Sequence, residues 1–226
     1  MRRISIVVFC LSILIISSTT AVLGNVKYPE IVASVGSVEI TSEHLEKQIE
    51  IEKIKANTMG DKYPHANIET AALREIISEE LILQEAKSNG IFVSEEEAVR
   101  FLDDQAKLIE SLSDEDKKQY EQNASSFGCS SVSEYLKDPK VINATQLLLT
   151  KGKIRISVYN NVPDTTDEEV NKYLDNNGIG FKEDKDVISA VKEKIRHDKE
   201  ILAWENHLAK LVNSGDYEIR IPVDIK

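Results

Sequence analysis

The chain has 226 residues but few groups suited to covalent or metal chemistry. It contains two cysteines, of which Cys10 lies in an apolar run near the N-terminus. Without that run Cys129 is the single thiol, so no intramolecular disulfide and no zinc framework can form. Among the four histidines, His197 and His207 share a predicted helix but lie ten residues apart, whereas metal ligands on one helix need spacings of about three or four. We therefore expect no metal site.

Catalytic sequence motifs are missing as well. HExxH, phosphate-loop and GxSxG patterns do not occur in the chain. Cys129 stands in FGCSS without a neighbouring histidine or basic residue, which favours an inert thiol over a nucleophile. Acidic residues are abundant, but helix starts and solvated surfaces account for them, so no general acid and base stand out. The sequence predicts no catalytic residues, no cofactor and no use of ATP.

Beyond the first three residues, basic side chains are outnumbered by acidic ones. Residues 25–226 carry 26 basic and 39 acidic side chains, a formal charge of −13. This balance disfavours nucleic acid and anionic lipid as partners, because both are negatively charged.

The N-terminus has the composition of a secretory signal. Two arginines precede the apolar run ISIVVFCLSILII, and small residues follow it as far as Gly24. We predict a signal peptide over residues 1–24, cleaved after Gly24. Residues 4–24 are also long enough to remain as a membrane anchor, which requires about 20 apolar residues. Either outcome predicts an exported protein, located outside the cell or in the cell envelope.

Strand patterns occur only at the two ends of the remaining chain. Residues 31–40 alternate apolar and polar positions on both sides of Gly36-Ser37, which predicts a hairpin with a two-residue turn. Residues 217–223, YEIRIPV, alternate in the same way, and Pro222 confines them to a sheet edge or a strand end. The predicted fold is therefore mostly α, with a small β-sheet formed by the N-terminal and C-terminal strands.

Between these strands the helices are marked by clear start and stop signals. A wide apolar stripe over residues 70–86 predicts a central helix that ends at Asn89-Gly90. Ser94 with Glu97, and Thr166 with Glu169, have the spacing of capping boxes that begin new helices. A 3.6-residue apolar period over residues 184–213 predicts one long helix, about 45 Å at 1.5 Å per residue.

The order of these segments resembles the extracytoplasmic chaperones of the SurA and PrsA type, specifically their non-catalytic chaperone module. The resemblance covers most of residues 32–223 and lies in VASVGSVEITSEHLEKQ, LREIISEELILQEAKSNGIFVSEEEAV, VPDTTDEEVNKYLDNN and the terminal helix and strand. It implies one chaperone domain over residues 25–226. Within it, residues 31–55 and 184–223 would join as a base, and residues 67–160 would form a helical body.

The chain departs from that family at the place where a prolyl isomerase domain of the parvulin class is usually inserted. Only twenty residues separate Pro163 from Asp184, and no Gly-Gly pair occurs anywhere. The isomerase domain is therefore predicted to be absent, and the family's catalytic residues have no counterparts in this sequence.

The resemblance implies that the protein binds unfolded or extended segments of exported polypeptides without catalysis. Two other functions stay open: a degenerate prolyl isomerase with weak residual activity, and an adaptor for one cell-envelope partner. A homodimer formed by helix exchange is a further expectation, because a long amphipathic helix can swap between protomers.

The candidate peptide-binding residues are large side chains of the middle helices, which could form an apolar groove surrounded by charge. Their alternative role is to fill the core. They are Phe92, Phe101, Leu102, Tyr120, Phe127 and Tyr135.

Overall fold

A computed structural model describes residues 28–65, 67–180, 184–223 and 225. The predicted signal peptide or anchor over residues 1–24 lies outside the described residues. The described part is 71% helical, with eight α-helices and one three-stranded sheet, which confirms the predicted fold class. The elements are β1 (Ile31–Val35), β2 (Val38–Thr41), α1 (Ser42–Met59), a 3₁₀ turn (Gly60–Lys62), α2 (Ile68–Ser88), α3 (Glu95–Glu110), α4 (Asp114–Ser126), α5 (Val132–Leu136), α6 (Pro139–Asn160), α7 (Asp167–Asn176), α8 (Lys185–Ser214) and β3 (Tyr217–Ile219).

The two ends of the described chain meet on one strand. The sheet has the order β2-β1-β3 with both pairs antiparallel, and Val35 of β1 is paired with Val38 on one side and Tyr217 on the other. The turn between β1 and β2 has Gly36 at φ 54°, a conformation that glycine adopts without strain. Strand β3 is shorter than the predicted segment 217–223, although the Arg220 amide still donates to the Val32 carbonyl at 2.8 Å.

Helix α2 is central to the core, as its wide apolar stripe predicted. Its buried residues occur at helical spacing and include Leu73, Ile76 and Ile77, each at most 1% exposed. Helix α1 packs beside it and buries Leu45 and Ile49. Burying side chains of this size stabilises the fold by about 1.5–3 kcal/mol each.

The local start and stop signals are confirmed. Helix α3 begins with Ser94 as N-cap, and helix α7 begins with a complete capping box between Thr166 and Glu169. Helix α2 ends in a Schellman motif, in which the Gly90 amide donates to the Lys87 carbonyl and the Ile91 amide donates to the Ala86 carbonyl. The ends of α4 and α7 have the same pattern of hydrogen bonds, around Gly128 and Gly178.

The described residues divide into two compact units. The first consists of the chain up to Lys151 together with the residues from Gly215 onward, and it contains the sheet, α1 to α5 and the first part of α6. The second unit, Gly152–Ser214, has a small core of Val170, Leu174 and Val191 between α7 and α8. The predicted grouping into a base and a helical body stays a prediction.

None of the helices in the described part of the chain has both the length and the apolarity that a membrane crossing requires.

A carboxylate within helix α1 was not expected to be buried. The Glu52 side chain is only 4% exposed and accepts hydrogen bonds from Tyr63 at 2.8 Å, Gln48 at 3.2 Å and Lys55. Burial acts to raise the pKa of Glu52, but hydrogen bonds from Lys55, Tyr63 and Gln48 together outweigh it, so the pKa lies below its ordinary value of 4.5. The ionised form of Glu52 therefore stabilises the fold.

We expect Glu52→Gln to lower the free energy of unfolding at neutral pH by about 1–3 kcal/mol, because it weakens charge-assisted hydrogen bonds at a buried site. Since the folded-state pKa is lowered, the wild-type advantage is complete above pH 4.5 and disappears as the pH falls through the folded-state pKa. Urea unfolding of both proteins across this pH range measures the effect.

The matched control is Glu50→Gln on the same helix, which breaks a solvent-exposed pair with Lys53 and should change stability by less than about 1 kcal/mol. Equal losses in the two variants at neutral pH would contradict the role assigned to Glu52.

Candidate functional site

An open groove of about 740 Å³ lies between the end of α2, the connector 90–93 and the middle of α6. All of its lining residues belong to the first compact unit. Lys87 is the single charged residue among them, and none is acidic, although the chain has 39 acidic residues. The lining consists of Leu83, Ala86, Lys87, Gly90, Ile91, Phe92, Val93, Asn143, Gln146, Leu147 and Thr150.

The connector is fixed to α6 through the backbone of Val93. The Val93 amide donates to Oγ1 of Thr150 at 3.2 Å, and the Val93 carbonyl accepts from Nε2 of Gln146 at 3.2 Å. Val93 and Thr150 are both buried. Leaving such a buried backbone group unpaired would cost about 1–3 kcal/mol, so these side chains of α6 hold the connector in one position.

Phe92 is presented to solvent next to this buried anchor. It is 73% exposed, the highest value among the large hydrophobic residues described, whereas Val93 is 4% exposed. Leu147 of α6 lines the same groove and is 50% exposed. An exposed aromatic ring and an exposed leucine on a fixed backbone form an apolar surface of the kind that binds other molecules.

Polar groups of the groove lie beside this apolar surface. Asn143, Gln146 and Leu147 occupy one face of α6, at positions i, i+3 and i+4. The exposed Asn143 carboxamide can both donate and accept, so it can pair with the peptide groups of any sequence. The groove can therefore bind an apolar side chain and the main chain that carries it.

The structure separates the six predicted peptide-binding residues. Phe92 lines the groove, and it is the only one of the six that does. Leu102 and Tyr135 belong to a second apolar cluster, where Phe127 packs against them with its ring 5.0 Å from that of Tyr135. Tyr120 is also buried, and Phe101 is half-buried. A peptide-binding role for these five residues stays a prediction.

Sequence reasoning missed the contribution of α6 to the groove. Leu147 is one of several apolar residues along α6, and its exposure depends on what packs against that helix. Thr150 and Gln146 contact Val93 across 57 and 53 positions of sequence. No local pattern signals such pairings.

The one cysteine in the described residues has a shifted pKa. Burial raises the pKa of the Cys129 thiol, and the nearby carboxylates of Glu134 and Asp138 raise it further. The thiol is therefore protonated at neutral pH, which is unfavourable for a nucleophile. In the ranges that the structure describes, no three His, Cys, Asp or Glu residues come together in a group that could hold a metal ion.

Comparison with known proteins gave a match to a family model. A family model described as the SurA-like N-terminal domain matches residues 2–125, a range that includes α2, the connector 90–93 and α3. The α6 side of the groove lies outside that match. No curated protein and no solved structure matches the chain.

We expect Thr150→Val to lower the free energy of unfolding by about 1–3 kcal/mol, because the buried Val93 amide loses its acceptor. Protection of the Val93 amide against hydrogen exchange should fall at the same time. Urea unfolding and amide exchange measure the two effects.

Thr58→Val on α1 is the control, since the Thr58 hydroxyl is exposed and only donates to the Ile54 carbonyl one turn earlier. If Thr150→Val proves no more destabilising than Thr58→Val, Thr150 is not what fixes the connector.

Proposed function

Because that match covers more than half of the chain, the protein belongs to the family of SurA-like N-terminal domains, and we propose that it is an extracytoplasmic chaperone for unfolded segments of exported proteins. The observation that carries the proposal is Phe92, an exposed aromatic side chain next to Val93, a buried residue whose backbone is hydrogen-bonded to α6. Binding requires neither ATP nor catalysis.

The proposed occupant of the groove is an extended apolar segment of an unfolded chain. Phe92 and Leu147 contact its side chains, and the Asn143 carboxamide pairs with its main chain. Because no carboxylate lines the groove, binding a neutral segment does not require the desolvation of a negative charge. The volume of about 740 Å³ lies within the range of about 300–1,000 Å³ that is usual for ligand sites.

The acidic remainder of the molecule has a separate role in this proposal. A formal charge of −11 for the whole chain makes copies of the protein repel each other, so an exposed apolar groove does not lead to self-association. The same charge attracts basic clients at long range.

The energetics of the groove favour weak, reversible holding. Burying Phe92 and Leu147 on binding contributes at most about 1.5–3 kcal/mol each, whereas association costs roughly 4–15 kcal/mol of lost freedom. A single segment in the groove is therefore released without an energy source. A client with several apolar segments rebinds before it can aggregate.

The other expected interactions stay predictions. Membrane attachment would use residues 4–24, which lie outside the described residues. A homodimer by helix exchange would use α8, whose Ile201 and Leu202 are exposed within a helix of 30 residues. Sedimentation of the purified protein over a range of concentrations measures its oligomeric state.

The proposal is tested by mixing the purified protein with a chemically unfolded, aggregation-prone client and following light scattering. We expect the wild type to suppress scattering near equimolar ratio. Phe92→Ala should bind an apolar peptide about 10- to 100-fold more weakly, which corresponds to the loss of one buried aromatic side chain. Leu147→Ala should weaken binding in the same direction.

Ile156→Ala is the matched control, because Ile156 is also on α6 and 58% exposed but does not line the groove. If it impairs holding as much as Phe92→Ala does, the groove is not the site. A wild type that suppresses no scattering would contradict the chaperone function and favour the single-partner adaptor, and turnover of a prolyl peptide would favour the degenerate isomerase.

A further inference from the structure

Two helices of this protein end in the same dipeptide with the same geometry. Asn89-Gly90 closes α2 and Asn177-Gly178 closes α7, with asparagine φ values of −89° and −102° and glycine φ values of 66° and 63°. In both Schellman motifs the glycine amide donates at 3.2 Å to the carbonyl three residues earlier. The two sites are thus a natural matched pair, one at the groove and one in the second compact unit.

Asn-Gly sequences can undergo a spontaneous reaction that needs only water. The glycine amide nitrogen attacks Cγ of the asparagine side chain, the side-chain nitrogen leaves as ammonia, and a five-membered succinimide forms. Water then opens the ring at one of its two carbonyl carbons and gives aspartate or isoaspartate. Glycine favours the attack because it has no Cβ to obstruct the approach of its nitrogen.

The side-chain amides of the two asparagines differ in their hydrogen bonding. Nδ2 of Asn177 donates to the Tyr173 carbonyl at 2.8 Å, so this bond must break before Cγ can reach the Gly178 nitrogen. The Asn89 side chain is exposed and has no hydrogen-bond partner within the part of the chain that the structure describes. One hydrogen bond of ordinary net strength makes the difference in rate about two- to tenfold.

We propose that Asn89 is a site of spontaneous deamidation, and that the product weakens binding in the groove. Conversion to aspartate places a carboxylate at the C-terminal end of α2, where the helix dipole disfavours negative charge. It also brings a carboxylate next to Gly90, which lines a groove without carboxylates. Isoaspartate inserts an additional main-chain carbon directly before the connector that presents Phe92.

The reaction is measured by incubating the full folded protein in mildly alkaline buffer at physiological temperature and mapping its peptides by mass spectrometry at intervals. We expect Asn89 to deamidate about two- to tenfold faster than Asn177 in the folded protein. In denaturant, where the Asn177 hydrogen bond is absent, the two rates should converge. Asn89→Gln and Asn177→Gln, which form the ring far more slowly, should each remove one of the two signals.

Equal rates in the folded protein, a faster reaction at Asn177, or no reaction at Asn89 would overturn the proposal. Peptide mapping involves no client, so its outcome is independent of the proposed chaperone function. Comparing aged wild type with aged Asn89→Gln in the scattering assay then tests whether the modification weakens holding, and equal holding would contradict the effect on the groove.

Discussion

The architecture depends on β1, because this one strand must pair on both edges. Its two neighbours come from opposite ends of the described chain, with Val38 and Tyr217 both paired to Val35. The turn after β1 is held by the same arrangement, since the Gly36 amide donates to the Asp216 carbonyl at 2.9 Å. Helix α2 joins this junction through Gln84, whose Nε2 donates to the Val35 carbonyl. The eight α-helices of the described residues therefore lie in sequence between two strands of one sheet.

The position of the groove follows from that arrangement and from one further constraint, the hydrogen bonding of the buried Val93 backbone. Helix α2 is fixed by its buried face, so the position of its end determines where the connector begins. The Val93 backbone must then find hydrogen-bond partners away from water, and Thr150 and Gln146 of α6 supply them. With Val93 directed inward, Phe92 is left in solvent. The exposed aromatic ring is thus a consequence of satisfying buried polar groups nearby.

Local signals in the sequence predicted the features that depend on neighbouring residues. Gly36-Ser37 specified the hairpin turn, Asn89-Gly90 specified a helix end, and Thr166 with Glu169 specified a helix start, because each involves groups within a few positions. Contacts between residues far apart in the sequence could not be predicted from such local signals. Glu52 is buried within helix α1, whereas the apolar residue Ile54 two positions later is exposed. Four of the six predicted binding residues lie on helices, but whether a residue lines the groove depends on tertiary packing.

The pairing of β1 with β3 also constrains when the molecule can fold. Ala33 pairs with Ile219, so one edge of the N-terminal hairpin has no partner strand until nearly all of the described chain is available. A contact between such distant residues is costly in chain entropy and slows folding. During synthesis or export the open edge of β1 would be accessible to other extended chains, as unpaired strand edges are. A protein proposed to protect exported polypeptides would itself pass through a stage in which it needs the same protection.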